Sequence, residues 1–451
     1  MISSNRRVQS CLWFLLAFVL IPWGEPLAGI GGDLRHFQTR EGLTVILVEN
    51  SANPMVELRL LVPAGATYDP EGKEGLASLT AWMFNEGGGD QDSKAFRERM
   101  DFYGISLGAD AHRDSMEVSL TTLTEHLDEA WSMLADALMK PRFDSADFER
   151  ARSERLASLI KDQERPRAIA GRAIMAQLYA GHPYARPVKG TPESVAAITL
   201  KDLEAYHDNA FRAPGMVLAV AGDVSESRLR GLVARYLSGL NSEPGVNGAI
   251  PLAERQRAGR QVHIEKDLPQ TVIRMGLVGF NRNDPDYFPA LVMNHILGGG
   301  GFGSRLTEEV REKRGLAYSV YSYFSPLMGR GPFMVGMQTK TASTGEAIAL
   351  IRHELERMVA EGVTAEELLD AKRYLTGSFP LRLDGLGKLA SNWSAIGFYR
   401  RGWDYLEQWP ERIREVTQAD VLRVAKRFLD LKRLFVVTVG RSSGAGVGKP
   451  E

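Results

Sequence analysis

Apolar and polar positions along the chain form a pattern that occurs twice. Each copy predicts a buried strand, a polar turn and a helix, then long amphipathic helices and a closing strand. The paired segments are Met55–Val62 with Thr271–Val278, Phe143–Arg152 with Gly362–Lys372, and Val217–Gly222 with Leu434–Gly440. The members of each pair lie about 217 residues apart, and such a shared offset indicates an internal duplication.

The duplication predicts two similar domains of the α/β class, each a sheet layered with helices. We place the first domain at residues 34–240 and the second at residues 259–445. Residues 241–258 begin with the turn-rich stretch Asn241–Gly248, and we interpret them as the linker between the domains.

The N-terminal residues have the layout of a secretory signal. Arg6 and Arg7 precede an apolar run, Cys11–Trp23, which leads to Pro26–Gly29 with the expected cleavage near Ala28. A membrane-spanning helix needs about 20 apolar residues, and this run is shorter. We therefore interpret residues 1–28 as a signal peptide rather than a stable membrane anchor, and we expect the chain to be exported to the periplasm.

Composition and charge narrow the possible chemistry. The 451 residues include 55 Lys plus Arg and 56 Asp plus Glu, and the net charge of −1 does not favour nucleic acid as a partner. Cys11 is the only cysteine, so a metal site in the folded body would need His and carboxylate ligands. None of the eight His residues begins an H-E-x-x-H or an H-x-x-E-H motif, the helical arrangements that bind catalytic zinc.

Two stretches of the sequence match the signatures of a known family. Gly298–Tyr321 resembles the C-terminal-half signature of the insulinase/pitrilysin metallopeptidases, which include the mitochondrial processing peptidase. Gly75–Gly88 resembles their N-terminal-half signature. The resemblance covers nearly all of the chain after the signal. It implies two homologous domains, arranged as a clam-shaped pair around a peptide chamber, which agrees with the duplication.

The first signature departs from the family pattern at the zinc motif. The family's H-x-x-E-H falls on residues 78–82, where Ser78 and Trp82 replace the zinc-binding His residues and Ala81 replaces the Glu that activates water. The third ligand of the family, a Glu, aligns with Ser158. Because none of these side chains is a zinc ligand, we expect no metal in this chain.

The helix that carries this degenerate motif also has an apolar stripe. Its members are Leu76, Leu79, Trp82 and Met83, at helical spacing. The stripe predicts that the helix packs against the core and that Trp82 has a structural rather than a catalytic role.

The second signature keeps the family's Arg-Tyr pair, as Arg311 and Tyr318. The pattern predicts a helix over Ser304–Arg314, stopped by Gly315, and a strand over Leu316–Tyr323. The resemblance implies that the pair holds the substrate backbone and helps to stabilise the oxyanion. A guanidinium and a phenol are suitable hydrogen-bond donors for that purpose.

A degenerate zinc half beside a preserved Arg-Tyr half resembles the non-catalytic chain of the family's two-chain enzymes. The sequence therefore predicts a subunit that is inactive alone and pairs with a zinc-bearing homologue to hydrolyse peptides or unfolded segments. The alternative is a peptide-binding or chaperone-like pseudoenzyme that acts without a protease partner. A self-sufficient protease would need a new set of ligands, and we find none in the sequence.

Overall fold

The computed structural model describes residues 33–245, 248–255 and 258–442. The predicted signal peptide at residues 1–28 lies outside the described residues, as do parts of the predicted linker and the last residues of the second domain. Within the described ranges, no helix is both long enough and apolar enough to cross a bilayer.

The first half contains eight strands and eight α-helices in its described residues. The strands are β1 Asp33–Gln38, β2 Thr44–Glu49, β3 Met55–Val62, β4 Gly87–Gly88, β5 Gln91–Asp92, β6 Ser106–Ala111, β7 Met116–Leu123 and β8 Val217–Gly222. The helices are α1 Leu76–Trp82, α2 Ser93–Tyr103, α3 Leu127–Met139, α4 Ser145–Gln163, α5 Pro166–Leu178, α6 Pro192–Ala197, α7 Leu200–Ala210 and α8 Glu226–Tyr236.

The second half repeats most of these elements. Its strands are β9 Gln261–Glu265, β10 Gln270–Val278, β11 Val320–Phe324, β12 Pro332–Lys340 and β13 Phe435–Gly440. Its α-helices are α9 Tyr287–Asn294, α10 Thr344–Glu361, α11 Ala365–Gly377, α12 Leu386–Phe398, α13 Tyr405–Glu415 and α14 Gln418–Phe428. Two π-helical turns, His295–Gly299 and Thr307–Glu312, lie between α9 and β11.

The two main sheets have the same strand order. In the first, β1-β2-β8-β3-β7-β6, only the β2–β8 pair is parallel. In the second, β9-β13-β10-β12-β11, only the β13–β9 pair is parallel. Strands β2, β8, β3, β7 and β6 thus correspond in order to β9, β13, β10, β12 and β11. The predicted duplication and fold class are confirmed.

Local sequence explains why corresponding helices begin where they do. Helix α7 begins after Thr199, whose hydroxyl accepts from the backbone N–H of Asp202, while the Asp202 carboxylate accepts from the N–H of Thr199. Helix α14 begins with the same reciprocal cap between Thr417 and Asp420. Each cap satisfies donors that the first turn of a helix leaves unpaired, and a lost cap typically costs about 1 kcal/mol.

One helix of each half packs on the sheet of the other half. Helix α5, from the first half, packs on β10 and β13 of the second sheet through Ala170, Ile174 and Leu178. Helix α12, from the second half, packs on β2, β3 and β8 of the first sheet, where Trp393 and Ile396 are buried. The units that pack together therefore differ from the continuous segments 34–240 and 259–445.

Glycines allow both exchanged helices to approach closely. A side chain at Gly276 of β10 would place its Cβ 2.8 Å from Leu178 Cδ1 of α5. A side chain at Gly397 of α12 would place its Cβ 2.8 Å from Val217 Cγ1 of β8. Both separations are below ordinary contact, so a larger residue at either position would force the facing side chains to shift.

A buried polar network reinforces this junction. Asp114, just before β7, is 1% exposed, and its carboxylate accepts from the Tyr184 hydroxyl at 2.7 Å. It also accepts from the N–H of Met328 at 2.8 Å and from the Tyr399 hydroxyl at 3.2 Å, both in the second half. Burial, together with the nearby Asp114 carboxylate, raises the pKa of Tyr184 and of Tyr399. Both phenols therefore remain donors, and Asp114 connects the two halves.

Asp114→Asn is expected to destabilise the whole chain. The amide keeps the shape of the side chain but loses its negative charge. Its NH₂ group would also face one or more of the O–H and N–H groups that now donate hydrogen bonds to the carboxylate. Hydrogen bonds to a charged group contribute about 1.5–3 kcal/mol each, so we expect a loss of about 3 kcal/mol in the free energy of unfolding. Urea denaturation measures it. Asp101→Asn, at an exposed position of α2, is the matched control; equal unfolding midpoints for the two variants would refute the role of Asp114.

Candidate functional site

Helix α1, which carries the degenerate zinc motif, is held at its N-terminus by a buried carboxylate. Asp69 accepts from the N–H of Gly75 at 2.8 Å and from the N–H of Ala77 at 2.9 Å. Gly75 has a φ of +100°, which favours glycine at this sharp entry into the helix. The position of the motif is thus fixed by the loop before it as well as by the core.

The apolar stripe of α1 is confirmed in part. Leu76, Leu79 and Met83 are buried in the core of the first half. Trp82 is only partly buried: its ring packs against that core and also lines a cavity between the two halves. Ser78 and Ala81 line the same cavity. The three positions that align with the family's zinc motif therefore lie together on one face of α1 and border this cavity.

The cavity has a volume of about 1050 Å³ and is lined by both halves of the chain. Helices α1, α4 and α5 and strand β6 form one side, and residues of β10, β11 and β12 form the other. Its charged and titratable lining residues are Glu86, Arg97, Asp110, His112, Arg113, Arg155, Arg167, Lys189, Arg274 and Tyr323. Glu86 is paired with Arg97 and, at 2.5 Å, with Arg150. Cations are thus in clear excess on these walls.

The opposing helix α4 presents Arg155 to the degenerate motif. The guanidinium carbon of Arg155 lies 4.9 Å from the centroid of the Trp82 ring. Ser158, which aligns with the family's third zinc ligand, lies nearly one turn further along α4; it is partly exposed and is not part of the cavity lining. The described residues contain no group of three His, Cys, Asp or Glu side chains able to hold a metal ion. A serine, an indole and a guanidinium do not fit a zinc site, because zinc binds imidazole, thiolate and carboxylate donors.

Sequence reasoning did not identify Arg155, although the sequence contains a signal for it. The buried side chains of α4 are Phe148, Ala151, Arg155 and Leu159, spaced by three or four residues. An arginine at a position of an otherwise apolar stripe indicates a buried charge. The family's third ligand position corresponds to Ser158, whereas the spacing of the buried side chains of α4 indicates Arg155 as the buried polar residue.

The helix stop at Gly315 is confirmed, and the elements on either side differ from the prediction. Gly315 has a φ of +59°, and its N–H donates to Arg311 O at 2.9 Å. The segment before it ends in the π-helical turn Thr307–Glu312. The predicted strand over Leu316–Tyr323 is wrong in its bounds: β11 begins at Val320, because the chain first turns away from the helix end.

The structure brings Arg311 and Tyr318 together and adds a third residue. The guanidinium carbon of Arg311 lies 5.6 Å from the ring centroid of Tyr318 and 4.6 Å from that of Phe302. Tyr318 is 90% exposed and Phe302 is 71% exposed. Sequence reasoning missed Phe302, which lies in the glycine-rich part of the second signature. Cation–π contacts with two rings orient the guanidinium at an open surface. None of the three residues lines the cavity that contains Trp82.

Comparison with known proteins defines the class of this fold. The model of the insulinase family, peptidase family M16, matches residues 44–192. The model of the peptidase M16 inactive domain matches residues 197–375. A crystal structure of a peptidase M16 inactive domain from Pseudomonas fluorescens superposes with a TM-score of 0.87 at 33% identity, covering 93% of this chain and 100% of that one.

Relatives from other bacteria agree with this class. The chain is 32% identical over 344 residues to the non-peptidase homolog YmxG of Helicobacter pylori, covering 75% of this chain and 78% of that protein. It is 23% identical to the uncharacterized zinc protease YmxG of Bacillus subtilis, covering 78% and 85%. A crystal structure of a protease from Helicobacter pylori, at 18% identity, shares the fold with a TM-score of 0.82 and covers 91% of this chain and 99% of that one. The chain belongs to the M16 peptidase family.

The carboxyl group that caps α1 is expected to make stability depend on pH. Burial raises the pKa of Asp69 to about 7, although the N–H groups of Ala77 and Gly75 oppose the rise. An unfolded Asp titrates near 3.9, so the folded chain binds the proton more tightly. The stability that this proton contributes is full below about pH 4 and is lost as the pH rises through 7.

Asp69→Asn removes this titration. Relative to the variant, the wild-type chain is expected to lose on the order of 2–4 kcal/mol of unfolding free energy between pH 4 and pH 8. Urea denaturation across that range measures the difference. The exposed Glu71→Gln serves as the control, with a pH profile parallel to that of the wild type. A constant difference between wild type and Asp69→Asn at all pH values would contradict the assignment.

Proposed function

We propose that this chain is the zinc-free subunit of a two-chain M16 peptidase. In this proposal it is exported to the periplasm, as the apolar run Cys11–Trp23 suggests, and pairs with a zinc-bearing homologue. Arg311 and Tyr318 enter the partner's active site. There they bind the backbone of a peptide or unfolded segment and stabilise the oxyanion that forms when water attacks the carbonyl.

The exposed Arg311–Tyr318–Phe302 cluster is the observation that carries this proposal. Two large aromatic rings flank one guanidinium at the surface, and no hydrogen bond ties the Tyr318 hydroxyl to the described residues. The closest carboxylate contact of Arg311 is long, 3.5 Å from Nε to Glu312 Oε1. The two rings thus orient the Arg311 guanidinium, and both donors are accessible to a ligand, as an oxyanion site requires.

The first half supports the part of the proposal that this chain does not hydrolyse peptides by itself. Ser78, Ala81 and Trp82 cannot bind zinc or activate water, and Arg155 brings positive charge to the same place. The Arg-Tyr pair is not in that cavity. The name of the Helicobacter pylori relative, a non-peptidase homolog, is consistent with this view.

A second candidate is a peptide-binding or chaperone-like pseudoenzyme that acts without a protease partner. The observation in its favour is the cavity of about 1050 Å³, which both halves of this one chain enclose. Such a protein would bind peptides alone and would not need the exposed Arg-Tyr pair for its activity.

Co-expression with a zinc-bearing M16 homologue distinguishes the two candidates. We expect the chains to co-elute in size-exclusion chromatography and to hydrolyse peptides only together, with zinc in the partner alone. Metal analysis of this chain by itself is expected to show no stoichiometric zinc. Separate elution at micromolar concentration, with peptide binding by this chain alone, would favour the pseudoenzyme.

Tyr318→Phe is expected to slow the assembled enzyme without preventing assembly. The change removes only the hydroxyl, and loss of one oxyanion donor typically lowers the rate by about 10²–10³. Both kcat and kcat/KM should fall together, because the interaction forms mainly in the transition state. Arg311→Lys keeps the charge but loses the planar donor pair and should also be impaired.

Tyr374→Phe is the matched control, since Tyr374 is another exposed tyrosine of the second half and is 62% exposed. It should leave the rate unchanged. If Tyr318→Phe and Arg311→Lys both retain the full rate in the complex, the Arg-Tyr assignment is wrong and the chain is a scaffold.

A further inference from the structure

The cavity beside Trp82 contains cations without carboxylate partners. Of its six Arg and Lys side chains, Arg97 is paired with Glu86, and Arg167 donates to the neutral Gln338 side chain at 3.3 Å. Within the described part of the chain, the other four form no salt bridge. They are Arg113, Arg155, Lys189 and Arg274. Asp110 is the one acidic side chain of the lining that is not already neutralised by such a pair.

Arg155 is the most deeply buried of these cations. It is 7% exposed, and its Nε has no hydrogen-bond partner among the described atoms. Burial lowers the pKa of Arg155, and the charges of Asp110 and Asp162, neither of which forms a salt bridge with it, oppose this effect. A buried charge without a partner costs several kcal/mol, and its main compensation here is the face of Trp82. The free side of the guanidinium adjoins the cavity.

The unpaired cations reach the cavity from both halves. Arg155 lies on α4 and Arg113 lies between β6 and β7, and the Nε of Arg113 is also buried without a partner. Arg274 belongs to β10 of the second sheet. An anion in the cavity would form charge-assisted hydrogen bonds with guanidinium groups from both halves of the chain.

The remaining walls favour a peptide over a small ion. Apolar side chains of both halves, including Met175, Val188, Leu327 and Met334, also line the cavity. The volume is at the upper end of the roughly 300–1,000 Å³ typical of small-molecule pockets. A ligand that matches these walls combines carboxylates with apolar groups along an extended chain.

We propose that this cavity binds an acidic peptide segment and that Arg155 receives one of its carboxylates above Trp82, where catalytic members of the family hold zinc. The site is separate from the Arg311–Tyr318 pair and needs no partner subunit. It shares with the proposed function only the premise that the chain handles peptides. Its test therefore uses the isolated chain, so that failure of either proposal can be recognised separately.

The experiment measures the binding of two labelled peptides to the isolated chain by fluorescence anisotropy. One is a short peptide rich in Glu and Leu, and the other has Gln in place of every Glu. We expect the acidic peptide to bind about tenfold more tightly or better, because its carboxylates form charge-assisted hydrogen bonds that the Gln amides cannot. Its affinity should fall as salt rises. Equal affinity of the two peptides, or no binding of either, would overturn the proposal.

Arg155→Met tests the assigned contact. It should reduce the preference for the acidic peptide over the Gln peptide, while raising the urea midpoint of the ligand-free chain, since an unpaired buried charge is removed. An arginine with a purely structural role would instead lower that midpoint. Arg274→Gln, from the other half, should also weaken acidic-peptide binding. Arg373→Met, at an exposed position of α11, should change neither quantity.

A competition experiment distinguishes a peptide with carboxylates from a small inorganic anion as the ligand of the cavity. Inorganic phosphate at millimolar concentration should displace the acidic peptide only partly, because phosphate lacks the apolar contacts. If phosphate binds with the same dependence on Arg155 and the peptide does not compete with it, the site is a small-anion site and the peptide proposal fails.

Discussion

Each of the two sheets depends on a helix from the other half of the chain to cover one face. Helix α5 leaves the first half to pack on β10 and β13, and α12 leaves the second half to pack on β2, β3 and β8. Fully burying an aliphatic side chain such as Ile174 or Leu178 contributes about 1.5–3 kcal/mol. Neither half can keep this contribution alone, so the hydrophobic effect fixes the relative position of the sheets.

This junction determines the geometry of the cavity. Helix α5 lines it with Gly171 and Met175 while packing on the opposite sheet, and α4 directly precedes α5 in the chain. The wall that holds Arg155 is therefore anchored to both halves. Asp114 lies beside the same region and connects Tyr184 with Tyr399 across the junction. The walls of the cavity are thus positioned by apolar packing and by the Asp114 network.

The fold was largely predictable from the sequence, because the apolar strand segments of the two halves are separated by one shared offset, which indicates the duplication. The helix exchange was not predictable, since the apolar stripe of α5 shows that one face is buried but not which sheet covers it. At the site, the degenerate positions Ser78, Ala81 and Trp82 were found by motif, and the structure brings them to one cavity. Arg155 was missed because its neighbour Trp82 is distant in sequence. Phe302 is close to Arg311 in sequence, but their contact depends on how the π-helical segment between them folds.

The exchanged helices also bear on how a protein of this shape is assembled. Two identical half-chains that traded the equivalents of α5 and α12 would form a domain-swapped dimer whose existence depends on concentration. Joining the halves in one chain makes the same exchange intramolecular and independent of concentration. Because the two halves are joined in one chain, their sequences also need not be identical. One can then lose its metal ligands and acquire a guanidinium such as that of Arg155, while the other keeps an unrelated surface pair.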